Sequence, residues 1–147
     1  MSNRDVEFYF VDIFIAIYKI ELYTLKFKDG EELLHSMLEW DATIRELEII
    51  GEATNSLIKY EVLENKKYRK IVDFRNMIIH GYFGINEEEV WSVITQKLSP
   101  LRQELKNMII EKNIFIKDAI SCAKDENTKN SELLEFLDKL IESSTDF

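Results

Sequence analysis

One proline, Pro100, and four glycines in 147 residues leave this chain almost without backbone punctuation. Proline removes a backbone donor and glycine loosens helices, so long stretches free of both favour helix over sheet-and-turn architectures. Hydrophobic residues make up 46% of the sequence, enough to fill a core, so the unbroken stretches read as helices packed on one another. At this length one domain is expected, with room for a short extra segment. The expectation is an all-α fold. An antiparallel bundle of four to five helices occupies residues 1–122, and a linker with a short amphipathic helix occupies 123–147.

Periodicity places the elements. Ser2 with Asp5 resembles a capping box, and Val6, Tyr9, Phe10, Ile13, Ile17, Ile20 and Tyr23 then recur at helical spacing. Asp29-Gly30 ends this element or the turn after it. A second helical region runs from about Glu31 to Leu63, strongest between Asp41 and Ile58. Gly51 sits inside it at a cost of roughly 1 kcal/mol relative to alanine, which suggests close approach of a neighbouring helix. Asn65-Lys66-Lys67 reads as a loop, and a third helix spans about Tyr68 to His80 with Gly81 as its stop. Asn86 and Glu89 mark the start of a fourth helix. Ser99-Pro100 read as cap and first residue of a fifth, which extends as far as Cys122. Lys124 to Asn130 is a polar linker, and Ser131 caps a last helix carrying Leu133, Leu134, Leu137 and Leu140. That last helix has three fates: folding back on the bundle, binding a partner, or fraying.

Charge and cysteine content narrow the function classes. A formal net charge of −9 argues against nonspecific coating of nucleic acid. Lys66, Lys67, Arg69 and Lys70 nevertheless cluster ahead of Arg75. They read either as a solvated helix start or as a local basic patch for one docked RNA. The single cysteine, Cys122, excludes an intrachain disulfide and makes a reducing cytoplasm the natural compartment. The first residues do not read as a secretory signal, and the apolar run from Phe8 to Ile17 is broken by Asp12, so no membrane span is expected. No Cys/His cluster suggests zinc, and no P-loop, dinucleotide glycine pattern or Gly-x-Ser-x-Gly elbow is present.

The most informative stretch is Arg75-Asn76-Met77-Ile78-Ile79-His80-Gly81-Tyr82. An arginine presents a planar fork of donors that suits a phosphate. A histidine both takes and gives a proton near neutral pH. Together they form a minimal kit for cutting an RNA phosphodiester without a metal: the 2'-hydroxyl attacks, His80 moves protons, and Arg75 stabilises the developing charge. Unpaired carbonyls at the end of the third helix favour the imidazolium form of His80. Asn76 lies one α-turn before His80 and shares its face, whereas Arg75 points about 140° away on an ideal helix. A two-fold dimer that joins two such helix ends would supply both groups to one cleft. Arg-x4-His alone also arises by chance in charged helices, where the histidine merely caps. His35 reads as structural or exposed, and Glu48 and Glu52 as solvated or paired with Arg45.

The wider pattern resembles the HepT-like toxins of the HEPN superfamily, the nuclease half of nucleotidyltransferase–HEPN toxin–antitoxin pairs. Two blocks carry most of the resemblance: Asp41 to Ala53, with Ile49-Ile50-Gly51-Glu52-Ala53 at its end, and Phe74 to Gly84. Arg4-Asp5, Asp12-Ile13, Ala16-Ile17, Lys19-Ile20, Tyr23-Thr24, Val90-Trp91 and Leu98-Ser99-Pro100-Leu101 extend it, so that it covers about Arg4 to Ile110.

The resemblance implies a homodimeric, all-helical, metal-independent endoribonuclease without a cofactor. The family's R-x4-H-x-Y motif falls on Arg75, His80 and Tyr82, with Asn76 as the polar residue after the arginine. In similar pairs the cognate nucleotidyltransferase antitoxin adds AMP to the motif tyrosine, which here is Tyr82; otherwise Tyr82 reads as a buried ring beside Phe83. RNA is the expected substrate, with no role for DNA or a membrane. A noncatalytic nucleotide- or RNA-binding module, or a partner module for a nucleotidyltransferase, is the alternative reading. Two departures from the family stand out: Lys66-Lys67-Tyr68-Arg69 before the third helix, where many relatives have Trp or a Pro-rich stretch, and the extension from Lys112 to Phe147.

Overall fold

The structure, a computed structural model, describes residues 3–81 and 84–145, with side chains over 5–81 and 84–141. Ser2, Tyr82 and Phe83 lie outside the described residues. Eight helices occur among those described: α1 (Asn3–Thr24), α2 (Gly30–Leu34), α3 (Met37–Lys59), α4 (Asn65–His80), α5 (Glu87–Gln96), α6 (Leu98–Glu111), α7 (Lys117–Glu126) and α8 (Ser131–Thr145). The fold is all-α, as the scarcity of breakers predicts.

Helix α1 is the central element. Val6, Phe10, Ile13, Ile17 and Ile20 are buried at the expected spacing, but Val11, Phe14 and Ala16 are buried too. A helix apolar around most of its circumference needs cover on more than one side. Helices α3 and α6 cover one part, and α7 covers another.

Cross-links fix the directions. Lys19 pairs with Glu46 at 3.7 Å and Lys26 with Glu39 at 2.9 Å, so position rises along α1 as it falls along α3. Only residues 60–64 join α3 to α4, and Arg75 lies against Gly51, so α4 returns antiparallel to α3. The Tyr68 hydroxyl donates to Glu104 at 2.6 Å and Lys112 Nζ to the Val62 carbonyl at 3.0 Å, so α6 returns antiparallel to α4. The sequence α1, α3, α4, α6 is therefore an up-down-up-down bundle. Short α2 packs on α5 near its end, where the backbone at Gly30 approaches the Glu87 carbonyl so closely that a Cβ would stand 2.4 Å from it. His80 sits at this end, together with the start of α3.

Several boundaries differ from the sequence reading. The region 31–63 divides into α2 and α3. Asp29 caps α2 by accepting from the Glu32 amide at 2.9 Å. The Asn65-Lys66-Lys67 segment is the first turn of α4, not a loop. No breaker lies there, so the helix starts as soon as the chain has turned through Glu61, whose φ is 61°. Helix α6 begins at Leu98, one residue before Ser99, and has no side-chain cap; Pro100 needs no amide partner in that first turn. It ends at Glu111, short of Cys122, because Asn113 adopts a φ of 51° and turns the chain into α7. The cap of α5 is as expected: Asn86 accepts from the amides of Glu88 and Glu89 at 2.9 and 3.0 Å.

The C-terminal helices fold back. The boundary at 122 falls within α7, and the connection to α8 is only 127–130. The cap of α8 comes from Asn130, which accepts from the Leu133 amide at 3.1 Å, rather than from Ser131. The Tyr18 ring stacks on Phe136 with centroids 4.3 Å apart, and Leu133, Leu137 and Leu140 join the same core as α1.

One buried carboxylate makes a stability prediction. Burial raises the Glu46 carboxyl above its ordinary value, and Lys19 and then Arg45 oppose that shift. A raised folded-state value means that the native chain holds this proton more tightly than the unfolded chain. The stability it contributes is full below the unfolded value of 4.5 and is lost as pH rises through the folded one. Glu46→Gln keeps the hydrogen-bonding shape and removes that loss. Its melting temperature should pull ahead of wild type as pH climbs above 4.5, by a few °C at neutrality. Melting curves from pH 4 to 8 check this; a gap that is constant over the range would contradict it.

Candidate active site

The site is built on the second half of α4. Tyr68, Val72 and Ile78 are buried and hold the helix to the bundle. Positions 68, 72, 75 and 79 follow the helical repeat, so Arg75 occupies a place on the core-facing stripe. Gly51 of α3 makes room for it. A Cβ built on Gly51 would stand 2.2 Å from Arg75 Cβ and 2.4 Å from its Cγ. The arginine stem therefore lies flat on the α3 backbone. This is the close helix approach that a mid-helix glycine predicts.

The guanidinium emerges beside the next residue of α3. Its Nη2 pairs with Glu52 Oε1 at 3.2 Å and its Nη1 donates to Asn76 Oδ1 at 2.9 Å. Nε is buried and has no hydrogen-bond partner. The side chain as a whole is 27% exposed, so the head is fixed from below yet reachable from solvent.

His80 is the last residue of α4 and is exposed. Gly81 caps the helix, as expected, but with a φ of −89° rather than in a left-handed conformation. Within one protomer, no hydrogen bond or ion pair joins Arg75 to His80 among the described residues. Asn76, one α-turn before His80, accepts a hydrogen bond from Arg75. His35 is exposed and stands 3.9 Å from Glu31, in keeping with a role outside the site.

The basic cluster divides. Lys67 pairs with Glu104, which also accepts the Tyr68 hydroxyl, and Arg69 pairs with Asp73 at 3.3 Å. The fork of cationic and phenolic donors holds the Glu104 carboxyl below its ordinary value. Lys66 and Lys70 are exposed. Lys67 and Lys70 line a groove of about 510 Å³ between α4, α5 and α6, floored by Ile50, Phe74 and Leu101. Arg75 and His80 do not line that groove.

Sequence reasoning missed the role of Glu52. Its i, i+4 relation to Glu48 and the nearness of Arg45 pointed to a local pair, whereas the partner is Arg75, on the next helix. The signal was present in the adjacency of Gly51 and Glu52: a glycine that admits a neighbouring helix puts the following side chain at that helix's edge.

An all-α bundle with an arginine, an asparagine and a helix-terminal histidine on one helix defines a helical protein with a solvent-accessible polar site. Comparison with known families agrees with that class. Residues 13–108 match the family described as Ribonuclease HepT-like, and the chain belongs to this family. The protein named "Putative RNase MJ1380" of Methanocaldococcus jannaschii is 31% identical over 108 residues, spanning 72% of this chain and 98% of its own. "Probable ribonuclease HepT" of Thermococcus cleftensis is 28% identical over 109 residues, 73% of this chain and 96% of its own. "Gamma-glutamylcyclotransferase and putative RNase MJ0434" of M. jannaschii is 30% identical over 142 residues, 94% of this chain but 63% of its own. That alignment takes in most of the C-terminal helices as well. No solved structure matches the chain.

Proposed function

We propose that this chain is a metal-independent endoribonuclease, the toxin of a toxin–antitoxin pair, acting in the cytoplasm. The observation that carries this reading is Arg75, held in the bundle wall with its terminal nitrogens reachable, five residues before an exposed His80. The ribonuclease names of its relatives add to it. In the reaction, the ribose 2'-oxygen attacks the adjacent phosphorus and the bond to the 5'-oxygen breaks. One histidine takes the hydroxyl proton and another returns a proton to the leaving oxygen. The guanidinium bears the charge that grows on the phosphoryl oxygens. Since Arg75 and His80 of one helix diverge, two protomers supply the groups, and the working form is a homodimer.

Tyr82 follows His80 by two residues, and AMP placed on its hydroxyl by a cognate nucleotidyltransferase antitoxin would set a bulky anion beside the phosphate site. Lys66 and Lys70 are exposed and form no ion pair among the described residues, which leaves them free for an RNA backbone, whereas Lys67 and Arg69 are paired with Glu104 and Asp73.

The test is direct. The purified chain is given an RNA oligonucleotide and its 2'-deoxy counterpart, with and without a chelator. Cleavage of RNA alone, leaving 2',3'-cyclic phosphate ends and unaffected by the chelator, is expected. Cutting of the deoxy strand, or loss of cutting with the chelator, would overturn the mechanism.

A further inference from the structure

Glu52 is not part of the Arg–His chemistry, yet the structure ties it to the arginine. It comes from a different helix, it follows the one residue whose lack of a side chain seats the arginine stem, and it holds Nη2 at 3.2 Å. We infer that Glu52 is a positioning residue that fixes the Arg75 guanidinium for a bidentate phosphate contact, through the hydrogen bond that it accepts.

The donor count supports this. A guanidinium has five N–H groups. The Nε–H is buried, one on Nη1 goes to Asn76 and one on Nη2 goes to Glu52, which leaves two, one on each terminal nitrogen. Two is the number that a bidentate phosphate contact uses. An arginine clamped in this way does not have to give up its rotamer freedom when substrate arrives, and so the phosphate is met by a group already in place. A full charge on Glu52 is not needed for that purpose. Its side chain is 55% exposed, so water screens its opposition to an incoming phosphate. The same exposure means that replacing it leaves no buried polar group behind.

This inference rests on the ribonuclease reading, and the experiment separates the two. Wild type, Glu52→Ala, Glu52→Gln and Arg75→Ala are compared for RNA cleavage, with folding followed by thermal melting. The Arg75 Nε–H resonance is followed by 15N NMR and assigned by its loss in Arg75→Ala. In wild type that proton should exchange slowly with water, because the nitrogen is buried.

Glu52→Ala is expected to melt like wild type, to lose roughly 10- to 100-fold in kcat/KM, mainly in kcat, and to show fast exchange of the Nε–H. Glu52→Gln, which still accepts a hydrogen bond, should recover activity to within about 3-fold and restore slow exchange. Faster cleavage by Glu52→Ala would make Glu52 a competitor for the phosphate and overturn the inference. So would a loss in Glu52→Gln as deep as in Glu52→Ala, which would make the carboxylate itself a reacting group. Unchanged cleavage by Glu52→Ala with Arg75→Ala inactive would end the role of Glu52 alone. Full activity in Arg75→Ala would end the assignment of the motif.

Discussion

His80→Ala should abolish RNA cleavage, by roughly 100- to 10,000-fold, while leaving the melting temperature where it was. The histidine is exposed at a helix terminus, so its removal takes away a proton carrier and almost no packing. Arg75→Ala should cost roughly 100- to 1,000-fold, the scale of one lost donor to developing charge. Its stability cost should stay near 1 kcal/mol or less from the ion pair, because Glu52 is left in water rather than in the core. Arg75→Lys is the sharper variant. It keeps the positive charge but gives up the planar fork, and it should remain severely impaired. Cleavage of a fluorescent RNA by each variant, beside its melting curve, checks all three. A folded His80→Ala protein that cuts at the wild-type rate would contradict the proposed chemistry.

Gly51→Ala should damage both the fold and the site. Two effects oppose one another. Alanine favours helix over glycine by roughly 1 kcal/mol. Against that, the new methyl carbon would stand 2.2 Å from Arg75 Cβ. The atoms it meets are the first carbons of the side chain, fixed to the α4 backbone, so rotation about a distant bond cannot relieve the overlap. The helices α3 and α4 must move apart or Arg75 must leave its seat. Overpacking of this kind costs about 1–3 kcal/mol and here exceeds the propensity gain. The expected result is a melting temperature lower by a few °C and cleavage reduced to near the Arg75→Ala level. A Gly51→Ala protein that gains stability and keeps full activity would show that α3 and α4 do not approach so closely. A pair of double variants separates the two effects: Gly51→Ala, Arg75→Ala should stay destabilised because alanine keeps the Cβ that the new methyl meets, whereas Gly51→Ala, Arg75→Gly removes that atom and should return most of the packing loss.

Much of this was legible in the chain because it depends on short-range pattern. The helix ending at His80 follows from an apolar repeat halted by Gly81, and the start of α5 follows from Asn86. The core of α1 follows from its spacing, although its burial on further sides did not. That burial depends on α7, more than ninety residues away, and no local period reports it. The first turn of α4 was misread because lysine-rich polarity resembles a loop, whereas lysine is a good helix former wherever the backbone is unbroken. The break between α6 and α7 was missed because it turns on Asn113 adopting a positive φ, which asparagine tolerates without announcing it.

The site divides along the same line. The identities of Arg75, Asn76 and His80, and their angular spread on one helix, were fixed by the order of residues, because helical geometry turns sequence spacing into direction. The partner of the arginine was not. Glu52 and Arg75 are 23 positions apart, and whether they meet depends on how closely two helices pack and on which face each presents. Sequence spacing sets a side chain's direction on its own helix. The helix facing it, and so the charge it encounters, is chosen by the packing of the whole bundle.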